Sequence, residues 1–253
     1  MKGAFIEDLA WPQVSERLAE GAVVLVPIGA AAKEHGHHLP MGTDAIQARA
    51  LAERVAEQLP VLVAPVVGFG YYPVFTLYPG SQHLRAETFI ALIEDLLDTL
   101  ITQGATRIAL LNTGVSTEGP LRIATDRLFE RTGVRVITAD IRALGRAADD
   151  LLEQRVGGHA DERETSVMLV LRPDLVAMEK ARTDYGDALD AAPSVFVRPL
   201  RFRGDPDAGP DHSETGAFGD PTLASAEKGA RFLQAMVDDL VRGLRRDFPE
   251  AFD

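Results

Sequence analysis

"AVVLVPIGAAAKEHGHHLPMGTD", residues 22–44, changes character twice within one short span. It opens with "AVVLVPIG", a continuous apolar run rich in β-branched residues, the pattern of a strand buried on both faces. It closes on Thr43, a capping residue type, ahead of a helical pattern from about Asp44 to Gln58 with Ile46, Leu51 and Val55 facing inward. Between them lies "KEHGHHLPMGTD", in which Glu34, His35, His37, His38 and Asp44 can each bind a metal. The chain has six histidines, and three of them sit in this loop. A buried strand, a ligand-rich loop and an amphipathic helix form the repeating unit of an α/β sheet whose ligand sites open beyond the carboxyl ends of the strands.

The same alternation continues outward. "WPQVSERLAEG" predicts a short helix from Pro12 to Gly21. "VLVAPVVG" predicts a second buried strand. "FGYYPVFTLYPGSQHLRAE", rich in Gly, Pro and Tyr, predicts a long functional loop or lid. A helix over about 86–103 follows, then strands at "TRIALLNTG" and "VRVITAD" with a helix between them. "HADERETSVMLVLR" predicts a loop turning into a helix that Pro173 ends. Residues 174–222 have no regular period, and a last helix covers about 224–246. The expected architecture is α/β: one domain over residues 1–253, three layers, with a mostly parallel sheet between helices. The loops after "AVVLVPIG" and "TRIALLNTG" should open on the same rim.

Composition narrows the function. At 253 residues, 46% apolar and 25% charged, the chain has ample length for a buried core. A net charge of -12 disfavours a nucleic-acid backbone as partner. The absence of cysteine removes thiolate metal sites and a Cys nucleophile, so any metal must sit on His and carboxylate. No apolar run approaches membrane-spanning length, and the N-terminus carries acidic residues where a signal peptide is apolar, so the expected location is the cytoplasm.

A second His/carboxylate group, "GGHADERETS", brings His159, Asp161, Glu162 and Glu164 to a helix start. Taken alone it could be a capped helix with an acidic first turn. Beside the first cluster it is a plausible partner site. "NTGVSTEG" supplies small residues at a strand end, as a substrate cleft needs, and Thr113 and Glu118 lie within it. "YPGS", with Ser81, has the form of a tight turn.

"VPIGAAAKEHGHHLPMGTD" resembles the signature of the creatininase (creatinine amidohydrolase) family, and "HADERETSVML" resembles that family's later His…Glu-Thr-Ser segment. "WPQV", "YPGS" and "GDPTLASAEKG" fall where relatives carry similar stretches. The resemblance implies a creatininase-like α/β domain, a metal-dependent amidohydrolase and a homo-oligomer, with a hexamer favoured. It makes Glu34 and His35 metal ligands and Asp44 a bridging ligand. It gives His159 substrate contact or proton transfer, makes Glu164 a site carboxylate that can also be a ligand, and places Ser81 at the substrate. The residues themselves offer His38, in the ligand-rich loop, and Thr113, at the strand end, as further substrate contacts.

Two departures stand out. The family spaces its first pair as Glu-x-His, whereas Glu34 and His35 are adjacent, which reads as an extra residue in the preceding loop. The family's Asn-Gly-His motif ends in a ligand histidine, where this chain has Gly114. The expected cofactor is therefore a divalent ion, zinc or manganese with iron as a third choice, and one ion rather than two. The expected reaction is hydrolysis of a C–N bond in a small cyclic amide or formamide-type substrate, with Glu164 or Glu118 as base. Creatinine is not favoured, because the only tryptophan is Trp11. The alternative is an inactive member that binds a small ligand or a protein partner.

Overall fold

Alternation along the central strands sets the layers. The computed structural model describes residues 2–186, 205–207 and 212–252. Five parallel strands, β1 (Ala4–Phe5), β2 (Val24–Ile28), β3 (Leu62–Val63), β4 (Ile108–Asn112) and β5 (Val136–Asp140), form one sheet in the order β1-β3-β2-β4-β5. Every residue of β2 and β4 is buried. Leu25, Ala109 and Leu111 point to one face, into a core with Leu51, Val55, Val167, Phe232 and Met236. Val24, Val26, Ile108 and Leu110 point to the other, into a core with Leu18, Phe89, Ile93 and Leu121. The first face is covered by α2 (Thr43–Gln58), α5 (Glu162–Leu171) and α6 (Ala226–Asp247), the second by α1 (Trp11–Ala19), α3 (Ala86–Thr102) and α4 (Glu118–Thr132). This is the three-layer arrangement that the periodicity predicts. Where α5 and α6 meet, Gly229 lies so close to α5 that a Cβ there would stand 1.9 Å from the carbonyl oxygen of Ser166.

Three local expectations change. Thr43 does not cap α2: it is the first residue of the helix, and its hydroxyl donates to the Pro40 carbonyl at 2.7 Å. The neighbouring carbonyl of Ala30 instead accepts from Ala45 N–H at 3.2 Å, so a distant backbone group takes over part of the capping. The "VLVAPVVG" strand shrinks to Leu62–Val63, because Pro65 has no N–H to donate to a ladder. The edge strand β1 is too short for a period-two pattern to announce it. Of the irregular 174–222 stretch, residues 187–204 and 208–211 lie outside the described residues, and the rest carries short 3-10 turns and isolated antiparallel bridges, Asp184 with Gly219 and Phe218 with His159.

The sheet register positions the site. Ile28 and Asn112, the last residues of β2 and β4, are direct partners, and Thr113 N–H donates to the Ile28 carbonyl at 2.9 Å. The loops leaving these strands therefore start side by side on one rim. No helix is long and apolar enough to cross a membrane among the described residues.

Candidate metal centre

The loop after β2 is held by its own side chains. Gly36 has φ +70°, and a Cβ there would stand 2.9 Å from His38 Nδ1, so glycine is required at this turn. The Glu34 carboxylate accepts from Gly36 N–H, and Glu34 N–H donates to Ser81 Oγ at 3.0 Å. This turn directs Lys33, Glu34 and His35 inward, and all three are buried.

Hydrogen bonding fixes the imidazole tautomers, since carbonyl and carboxylate oxygens can only accept. His35 Nδ1 lies 2.9 Å from the Lys33 carbonyl oxygen and therefore carries the proton in the neutral ring. Its Nε2 then turns a lone pair toward Asp44 Oδ1 at 2.9 Å and Glu164 Oε1 at 3.8 Å. Lone pairs facing one another at these distances call for a proton or a cation.

The second cluster meets the first from the other side. Ala160 has φ +48°, a left-handed conformation costly for a residue with a Cβ. It aims its N–H at Glu164 Oε2, 2.6 Å away. Asp161 caps α5 by accepting from Glu164 N–H at 3.0 Å. His159 Nε2 lies 3.0 Å from Glu34 Oε2, so the N–H is placed there, and Nδ1 faces Glu164 Oε2 at 4.0 Å. His35, His159 and Glu164 thus converge, with ligand atoms within 4.8 Å of one another. Burial above all, reinforced by the Asp44 charge and opposed by His159, pushes the Glu164 carboxyl up to about 7.

The other predicted residues fall on different levels. Asp44 is at the centre, 1% exposed, with its pKa held far below the usual carboxylate range: burial opposes this, and Lys33 and His35 outweigh it. His38 is buried against Thr165 Oγ1 at 2.8 Å, and His37 is exposed. Thr113 Oγ1 lies 3.1 Å from the Ile28 carbonyl and 2.9 Å from the Asp44 carbonyl, tying the two loops together at the cleft wall. Ser81 holds the Glu34 backbone. Glu118 is not brought to the cluster; its carboxylate pairs with Arg142 at the start of α4. Gly114 sits in a loop whose bonds converge on Asn112, whose side chain bonds Gly114 N–H and carbonyl, Thr117 Oγ1 and Asp140.

The sequence reading passed over two residues. Lys33 Nζ stands 2.7 Å from Asp44 Oδ2 as a buried ion pair. Lys33 is the ionic partner of Oδ2, and its charge helps hold the Asp44 carboxyl ionised. Phe75 lies under this ammonium, 5.1 Å from Nζ to ring centroid, and against His159 at 4.6 Å between centroids. The signal for Lys33 is its spacing: it stands two positions before His35, where a Glu-x-His pair has its glutamate.

These groups line the inner end of an open cleft of about 700 Å³, which also includes Ser116, Arg146, Arg155 and Phe218. Two buried imidazoles, two carboxylates and a lone pair turned toward oxygen are the hard and borderline donors of a divalent zinc or manganese site. The residues present therefore fit such an ion.

Comparison with known proteins agrees. The creatininase (creatinine amidohydrolase) family model matches residues 7–244. A creatinine amidohydrolase of Pseudomonas putida is 26% identical over 98% of this chain and 98% of its own. A mycofactocin precursor peptide peptidase of Mycobacterium tuberculosis is 33% identical over 90% of this chain and 86% of its own. A solved manganese creatininase superposes with a TM-score of 0.84 at 27% identity, covering 98% of this chain and 100% of that one. The chain belongs to the creatininase family of amidohydrolases.

Proposed function

We propose that this amidohydrolase cleaves a C–N bond of a small cyclic amide or formamide-type substrate, using one divalent ion, zinc or manganese, held by His35 Nε2, Asp44 Oδ1 and Glu164. The convergence of two buried imidazoles on Glu164 carries this reading. When bound, the ion supplies Lewis acidity to the scissile carbonyl and to water, lowering the pKa of that water to about 7. The chain supplies the rest. Glu34 accepts from His159 Nε2 and so presents His159 Nδ1 to the cleft, the arrangement of a base oriented by a carboxylate. His159 Nδ1 takes the proton of the attacking water as the C–O bond forms. It returns that proton to the nitrogen as the C–N bond breaks, a transfer suited to imidazole near neutral pH. Lys33 and Phe75 close the inner wall.

The relative named as a peptide peptidase supports a second substrate class, the end of a peptide, and a cleft of about 700 Å³ has room for one. The test is hydrolysis of a panel of cyclic amides, N-formyl compounds and short peptides by the metal-loaded chain, with His35→Ala as control. Expected is turnover of one class that His35→Ala abolishes together with stoichiometric metal. Full metal occupancy in His35→Ala would refute the ligand assignment. We further propose a homo-oligomer, with a hexamer favoured; light scattering that finds a monomer at micromolar concentration would refute it.

A further inference from the structure

Asp44 is a carboxylate with two different sides. Oδ1 faces the His35 nitrogen at 2.9 Å, the place proposed above for a divalent ion. Oδ2 faces the Lys33 ammonium at 2.7 Å. Both side chains of this ion pair are almost fully buried, 8% and 2% exposed, and few lysines are buried at all without a partner of this kind. The ammonium cannot easily leave: its stem is enclosed, and Nζ rests over the Phe75 ring. Lys33 and Asp44 also share a small pocket with Tyr72, Gly114, Ser116 and Thr117, and among the described residues that line it Asp44 is the one carboxylate and no imidazole is present.

We propose that the Lys33 ammonium is a built-in cation: it fills, on Oδ2 of Asp44, the position that a second metal ion would need, and serves as the second positive charge of the site. The inference rests on the metal reading given above and adds to it a residue and a stoichiometry. A divalent ion placed on Oδ2 would have to sit against a fixed like charge in a poorly solvated pocket, where such repulsion is little screened. The same ammonium lines the cleft, so it can donate to a substrate oxygen that gains negative charge as water attacks, a task fixed donors perform without reorganisation. Lys33 would then be both a charge that excludes an ion and a donor to the reacting carbonyl oxygen.

The test counts ions. Metal-free full-length protein is loaded with increasing Zn²⁺ or Mn²⁺, desalted, and analysed for metal per chain by mass spectrometry, alongside Lys33→Glu, Lys33→Met and His35→Ala. The wild type should saturate at one ion per chain. Lys33→Glu, which puts a carboxylate beside Asp44, should saturate at two. Lys33→Met keeps the stem against Phe75 and removes only the charge. Its melting temperature without metal should fall below that of the wild type, and loading should raise it by more than loading raises the wild type's. A wild type that takes two ions, a folded Lys33→Glu that stays at one, or equal metal-induced gains for Lys33→Met and wild type would overturn the proposal. No bound ion in any of the proteins, with His35→Ala indistinguishable from wild type, would instead overturn the metal reading on which it rests.

Discussion

Glu34→Gln separates two roles for the same carboxylate. As a metal ligand, Glu34 should control metal content. As placed in the structure, it accepts from His159 Nε2 at 3.0 Å with one oxygen and from Gly36 N–H with the other. Glutamine has the same shape and only one acceptor oxygen, so it can serve one of these donors and must turn its NH₂ toward the other. Gly36 N–H cannot move, because the left-handed turn fixes it. His159 can adapt by shifting its proton to Nδ1 and accepting at Nε2. A hydrogen bond to a charged acceptor is worth about 1.5–3 kcal/mol, so the Nε2–H form should lose a preference on the order of 10- to 100-fold. The shifted tautomer presents N–H instead of a lone pair to Glu164 and the cleft, and kcat should fall by roughly 10²–10⁴, the usual worth of a positioned base. The assay is ¹⁵N NMR of the His159 ring in the metal-free variant, with metal content and turnover measured on the loaded protein. Expected is the Nδ1–H form, retained metal and lost turnover. Retention of Nε2–H, or loss of the metal with the tautomer unchanged, would refute the positioning argument.

Two further perturbations probe the frame around the site. Burial, partly offset by Glu34, lowers the His38 pKa from 6.5 to about 4. The unfolded chain therefore binds this proton between those values while the folded chain does not, so stability is full above about pH 6.5 and declines as pH falls toward 4. The contribution is about 3 kcal/mol, and urea titrations at pH 7 and pH 4.5 should show His38→Gln losing much of this dependence; an unchanged slope would count against it. Gly229→Ala should destabilise by at least ~2 kcal/mol, because its Cβ meets the Ser166 carbonyl oxygen at 1.9 Å and neither backbone can yield. The melting temperature should drop by ~5 °C or more, and an unchanged value would mean that α5 and α6 are less tightly docked than described.

What could be read from the sequence follows from the range over which each feature is encoded. Strand β2 and the helices announce themselves because period and burial are local: Val24 to Ile28 are all apolar, and the α6 side chains Phe232, Met236 and Leu240 recur at helical spacing. His35, Asp44, His159 and Glu164 could be named because ligand chemistry concentrates in short segments. Their division of labour was not local. Glu34 reads as a ligand next to His35, and only the fold shows that His159 Nε2 lies 3.0 Å from its carboxylate. Lys33 carries no ligand chemistry of its own in the sequence, and only the fold shows that Asp44 faces it as a buried ion pair. Glu118 looked available because the path of the loop after β4 was unknown; the structure places it against Arg142, which the sequence holds 24 positions away.

The bond between Glu34 and His159 joins positions 125 residues apart. The turn at Gly216, later still, presses its backbone so closely on the Glu34 carboxylate that a Cβ there would stand 2.1 Å from Oε1. Closing such long loops is entropically costly, and contacts of high sequence separation form late. During synthesis the nascent chain would display the histidine-rich loop long before its partners exist. The full donor set comes together only when most of the polypeptide has emerged and the sheet has formed. The geometry of the cluster is thereby deferred to the end of folding, and a chain truncated before residue 212 would retain its first histidines without the enclosure that gives them a defined geometry.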